Sequence, residues 1–83
     1  MNPTITNPYD NIAVLIAELR TSGLQHYADE LQLAMDTGSS GTRIFMALRW
    51  HLEEMLKGEL PDAIAEQARV LEAYFSKALG MDA

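Results

Sequence analysis

Apolar residues recur at spacings of three and four along most of the chain, which is the period of an amphipathic helix. No stretch alternates between apolar and polar residues for long enough to predict a strand. Four apolar stripes, one for each predicted helix, are expected to form the core. They are Ile12, Leu15, Ile16 and Leu19; Leu24, Tyr27, Ala28, Leu31 and Met35; Ile44, Phe45, Leu48, Leu52 and Met55; and Ile64, Ala68, Leu71, Phe75 and Ala78.

Capping residues and glycines predict where these helices begin and end. Asn7 precedes Pro8, and Ser40 lies in the polar segment 37–41, so both are expected to be N-caps. Glycines at positions 23, 58 and 80 are expected to end three of the helices. The predicted helices span about 8–22, 24–36, 41–57 and 61–79.

The links between these helices are short, and short links place consecutive helices side by side in opposite directions. The predicted fold class is therefore all-α, a small antiparallel four-helix bundle. Residues 1–83 are expected to form a single helical domain. The alternative is a three-helix core with a further helix that docks on another chain.

Three apolar residues fall outside the stripes. Met46 and Trp50 lie one turn apart on the third helix, on the side that carries Arg43, and Val14 lies opposite Ile12 on the first helix. Because Trp, Met and Arg are enriched at the centres of protein interfaces, these residues predict a contact surface. A second copy of the chain is the expected partner, giving a homodimer. In the alternative interpretation, the fourth helix covers Trp50 and makes it part of the core.

Length and charge narrow the choice of partners. A domain of 83 residues buries roughly 60% of its unfolded surface, so association with a second chain would add stability. Twelve acidic residues against six basic ones give a net charge of −6. This charge argues against nucleic acid, including helix-turn-helix DNA binding, and against anionic membranes.

The second helix is the most acidic segment. It contains Asp29, Glu30 and Asp36 and no basic residue, which predicts an acidic face for a basic protein partner. An inhibitor of the immunity or antitoxin type would use such a face. The alternative is a solvated face that only keeps the protein in solution.

Catalytic and metal-binding patterns are weak, so we expect no enzyme and no cofactor. His51 with Glu54, and His26 with Glu30, could each place a nitrogen and an oxygen on one helix face, but two ligands are too few for a metal site. A metal or small-ligand domain stays open as an alternative. The segment 38–42 could hold an anion at the start of a helix, although it lacks the lysine of a phosphate-binding loop.

Localisation is expected to be cytoplasmic. The chain has no cysteine, its first ten residues lack the pattern of a signal peptide, and its longest apolar run, 12–17, is too short to span a membrane. The run GSSGTRIFMALRWHLEEML, following LRTSGLQHYADELQLAM, resembles a pattern in small uncharacterised bacterial proteins. That resemblance covers about residues 15–57 and implies a bacterial all-helical domain with no particular activity. Size, acidity and helix number are also similar to those of small immunity proteins.

Overall fold

The computed structural model describes residues 7–81, and this part of the chain contains four α-helices and no strand. Helix α1 spans Pro8–Thr21, α2 spans Gln25–Thr37, α3 spans Gly41–Leu56 and α4 spans Asp62–Ala78. Each boundary lies within one residue of the predicted one.

The predicted caps explain the starts of α1 and α3. The side chain of Asn7 accepts a hydrogen bond from the Tyr9 amide at 3.0 Å, and Ser40 accepts one from the Arg43 amide at 3.2 Å. Gly23 ends α1 in the left-handed conformation, with φ of 76°. Gly58 takes no such conformation, because α3 already ends at Leu56 and Lys57 caps it.

The helices pack in a ring in which each contacts two neighbours, in the order α1, α2, α3, α4 and back to α1. Side-chain contacts show that neighbours run antiparallel. Glu18, late in α1, accepts a hydrogen bond at 2.8 Å from Gln67, early in α4. Phe45, early in α3, packs edge-on against Phe75, late in α4, with ring centroids 4.7 Å apart. The predicted antiparallel four-helix bundle is confirmed, and the alternative with an undocked helix is excluded.

One apolar cluster with residues from all four helices fills the centre of the ring. All four predicted stripes lie in this cluster or pack against it, with two differences. Ala34 is buried although no predicted stripe included it, and Ala78 is exposed at the end of α4 although the fourth stripe included it. The buried residues are Ile12, Leu15, Ile16, Leu19, Ala28, Leu31, Ala34, Leu48, Leu52, Met55, Ile64, Ala68, Leu71 and Phe75.

The link between α2 and α3 depends on a close approach at Gly38. A Cβ atom at this position would lie 2.1 Å from Cγ1 of Ile44, far inside van der Waals contact. Ile44 packs against the core, so glycine lets the chain turn tightly over it. Within residues 7–81, no helix combines the length and the apolar character that crossing a membrane requires.

Candidate protein interaction surface

The outer side of α3 exposes two large apolar side chains. Met46 is 53% exposed and Trp50 is 55% exposed, and they lie one turn apart on the side opposite the fully buried Leu48 and Leu52. No helix covers Trp50, so the interpretation that placed it in the core is excluded. An interface role for it stays a prediction.

The neighbouring helix α2 contributes a third exposed apolar residue, Leu33. At 61%, it has the largest exposure among the big hydrophobic residues of the described chain. Leu33 was not among the residues predicted from the sequence, although a helical wheel places it about 160° away from the buried Leu31. That angle was the signal that could have identified it.

A contact between α2 and α3 sets the level of these three residues along the bundle. Oε2 of Glu30 lies 3.5 Å from Nδ1 of His51, so these two residues stand opposite each other on antiparallel helices. Leu33 lies three residues after Glu30 on α2, and Leu48 lies three residues before His51 on α3. Because the helices are antiparallel, Leu33 is level with Leu48. Leu33 is therefore at a height between Met46 and Trp50. We call the outer side of the α2–α3 pair, with Leu33, Met46 and Trp50, the apolar face.

Opposite charges flank the apolar face. On α2, Asp36 accepts a hydrogen bond from Gln32 at 3.0 Å, and no basic side chain within residues 7–81 pairs with it. On α3, Arg43 is exposed and likewise forms no ion pair with the residues described. Asp36 is level with Phe45, so its height is within two residues, or about 3 Å, of that of Arg43.

The other charges at this side of the molecule have partners. Asp29 lies 3.6 Å from Arg20 of α1, and Glu30 faces His51. Lys57 lies 2.7 Å from Glu54, three residues away. Glu53 of α3 pairs with Arg49, four residues before it.

His51 does not form the metal-binding pair that its spacing to Glu54 suggested. Its side chain is 24% exposed, and Nδ1 is buried without a hydrogen bond, facing Glu30. Glu54 pairs with Lys57, and His26 stacks on Tyr27 with ring centroids 4.0 Å apart. Among residues 7–81, no three His, Cys, Asp or Glu side chains come together as a metal site would require.

Val14 is not part of the apolar face. It is 54% exposed, but it lies between α1 and α4, beside Val70. Helices α1 and α3 are not packed neighbours. The four residues that the sequence analysis grouped as one contact surface therefore divide between two separate places: Arg43, Met46 and Trp50 on α3, and Val14 in a groove.

The segment 38–42, which the sequence suggested as an anion site, forms the capped start of α3. The hydroxyl of Ser40 already accepts a hydrogen bond from the Arg43 amide, and the Ser40 carbonyl accepts one from the Ile44 amide. Both groups serve to start α3. The geometry is that of a capped link between helices.

Known proteins do not assign a family to this bundle. The resemblance of residues 15–57 to small bacterial helical proteins stays a prediction. Conclusions about function rest on the exposure, charge and contacts of the chain's own residues. No protein-family model, no curated protein and no solved structure matches the chain.

Proposed function

We propose that the protein is a non-enzymatic interaction module of the bacterial cytoplasm that self-associates through the apolar face. The observation that carries the proposal is the half-exposed Trp50, with Met46 on the same side of α3 and Leu33 level with them on α2. Aromatic and methionine side chains are enriched in the cores of protein interfaces. The cysteine-free composition and the resemblance of residues 15–57 support the cellular setting.

Charge supports a second copy of the chain as the partner. The apolar face is flanked by the Asp36 carboxylate on α2 and the Arg43 guanidinium on α3, neither of which forms an ion pair within residues 7–81, so the face is complementary to itself. A two-fold axis parallel to the helices would lay α2 of one copy over α3 of the other, with every residue kept at its own height. The same contact would then occur twice, as closed two-fold symmetry requires.

The heights of the side chains fit this arrangement. Leu33 of one copy would enter the space between Met46 and Trp50 of the other, as a ridge on one helix enters a groove on its neighbour. Asp36 would approach Arg43 of the other copy, because the two residues differ by only about 3 Å in height.

The dimer is expected to be weak. Each of the three apolar side chains is about half exposed, so its burial would contribute roughly 1 kcal/mol, and the dimer would bury six. Association itself costs at least about 4 kcal/mol. About 2 kcal/mol remains, and the two exposed charge pairs at the edge of the face add up to about 1 kcal/mol each. We therefore expect a dissociation constant of about 1 mM or weaker, and a dimer that separates on dilution.

Trp50 provides the direct test because it is the only tryptophan in the chain. Its emission maximum and the light-scattering mass are measured on the same dilution series. We expect a dimeric mass and blue-shifted emission at high concentration, and both to change together on dilution. A mass that stays monomeric up to the highest concentration at which the protein dissolves would contradict the proposal, and so would a dimer whose emission does not change on dilution.

A second candidate function is inhibition of a basic protein through Asp29, Glu30 and Asp36. The observation that favours it is the exposure of Leu33 among these carboxylates, because an apolar contact surrounded by charges is typical of a protein interface. Its test is capture of a basic partner by the wild type and by Asp29→Lys/Glu30→Lys. Association that is equally fast in both, with equal salt dependence, would exclude it.

A further inference from the structure

A groove lies between α1 and α4. Its cavity of about 440 Å³ is within the size range of small-molecule sites. Val14, Val70 and Leu71 form its apolar floor, and Asp10, Asn11, Glu66 and Gln67 supply its polar rim.

The position of the groove follows from the packing of α1 against α4. The hydrogen bond between Glu18 and Gln67 fixes the register of the two helices at one end. Val14 lies four residues before Glu18 on α1, and Leu71 lies four residues after Gln67 on α4. Because the helices are antiparallel, Val14 and Leu71 are at the same height. Beyond them, Tyr74 and Phe75 turn towards Phe45 in an edge-on aromatic cluster. Val14 lines the groove and is 54% exposed.

The charge of the rim has one sign. The lining contains two carboxylates and no cationic side chain. Glu66 is already paired with Arg69, at 3.1 Å. Asp10 forms no ion pair with any residue of the part described, 7–81, so one end of the groove carries a carboxylate without a cationic side-chain partner.

We propose that this groove binds an amphiphilic organic amine, independently of the apolar face on the other side of the bundle. The ammonium group would lie at the Asp10 carboxylate and the Asn11 side-chain oxygen. The apolar body would lie along Val14, Val70 and Leu71 towards Gln67. Glu66 of α4 is level with Leu19 of α1, nine residues after Asp10. The groove is therefore roughly 14 Å long, which accommodates an unbranched alkyl chain.

Three probes with the same alkyl chain separate charge from apolar character: octylamine, 1-octanol and octanoate. Each is titrated into the ¹⁵N-labelled protein below its aggregation concentration, and amide shifts are followed by NMR. We expect octylamine to shift amides of α1 and α4 around the groove and to bind roughly fivefold more tightly than octanol, the effect of one partly exposed ion pair. Octanoate should bind most weakly.

Matched variants assign the effect to the groove. Asp10→Asn should make octylamine and octanol bind equally. Asp62→Asn is the control, because Asp62 is also an acidic residue in the first turn of a helix but does not line the groove, and it should leave the preference unchanged. Val14→Trp should fill the groove and abolish binding of both probes, with Val70→Phe as a second variant if the first does not fold.

Several results would overturn the proposal. These are equal affinity for the three probes, no binding at all, or a preference that survives Asp10→Asn. A change in the mass of the Val14→Trp protein would instead identify the groove as a contact between chains. Because the dilution test at Trp50 involves the other side of the bundle, failure of the dimer leaves this proposal intact, and the reverse holds too.

Discussion

Glu30 and His51 face each other across α2 and α3, with 3.5 Å between Oε2 and Nδ1. The two residues are twenty-one positions apart in the chain, and their contact fixes the relative height of the two helices. That height places Leu33 between Met46 and Trp50. The pair therefore defines the geometry of the proposed dimer surface without being part of its apolar centre.

The energetic contribution of this pair is expected to be small. The side chains are 24% and 50% exposed, and ion pairs in contact with water contribute about 0 to 1 kcal/mol. A double-mutant cycle with Glu30→Gln and His51→Gln, measured by urea unfolding, should give a coupling energy in that range. A coupling above about 2 kcal/mol would show that the pair is a main determinant of stability.

Trp50→Ala should weaken the dimer and leave the monomer fold nearly unchanged. Since Trp50 is about half exposed and is not one of the buried core residues, we expect a loss below about 1 kcal/mol in the free energy of unfolding at concentrations where the wild type is monomeric. Leu48→Ala on the buried side of the same helix is the control, with an expected loss of about 2 to 5 kcal/mol. Similar losses for the two variants would show that the buried half of Trp50 stabilises the monomer, and would contradict a role confined to the dimer.

Charge reversal tests the orientation of the two copies. Asp36→Lys and Arg43→Glu should each weaken the homodimer, because each places like charges opposite one another. An equimolar mixture should restore association, since both contacts of the mixed dimer then join opposite charges. Sedimentation equilibrium measures the masses, and Glu59→Lys, an exposed reversal in the link between α3 and α4, is the control.

If the wild type associates but the mixture of reversed variants does not, the two-fold arrangement is wrong while self-association stands. Association of the wild type should also weaken as salt is added, because the flanking charges are exposed and screened.

Gly38→Ala should destabilise the protein by about 1 to 3 kcal/mol through overpacking against Ile44. The backbone at Gly38 has φ of −67°, which alanine adopts readily, so the collision with Cγ1 of Ile44 is the main obstacle. Ile44→Ala removes that atom. Thermal unfolding should then show the double variant to be no less stable than Ile44→Ala alone, whereas additive losses would contradict this explanation.

Local features of the fold could be predicted from the sequence because they depend on residues close together in the chain. Asn7 and Ser40 cap helices through the amides two and three positions ahead. The buried stripes follow from the helical period. The burial of Ala34 was not predicted, because a small apolar side chain gives only a weak signal in the pattern of apolar and polar residues.

The candidate surface depends on how the helices are placed relative to one another. The helical period of the sequence gives no information on that placement. Met46 and Trp50 could be placed on an outer face, but their neighbour Leu33 depends on the register of α2 against α3. Val14 and Trp50 gave the same signal in the sequence, because each is an apolar residue on the side of its helix opposite the apolar stripe. Only the ring order of the helices separates the two.

The ring order also bears on how the protein folds. Three of its four helix contacts join neighbours in the chain, and only the contact of α1 with α4 joins distant segments. Chains dominated by local contacts fold within microseconds to milliseconds, so we expect rapid folding, with successive helical hairpins forming before the ends meet. The α1–α4 seam would then close last and, in the native state, exchange its amide hydrogens first. The groove beside Val14 would thus lie at the part of the bundle that opens most readily.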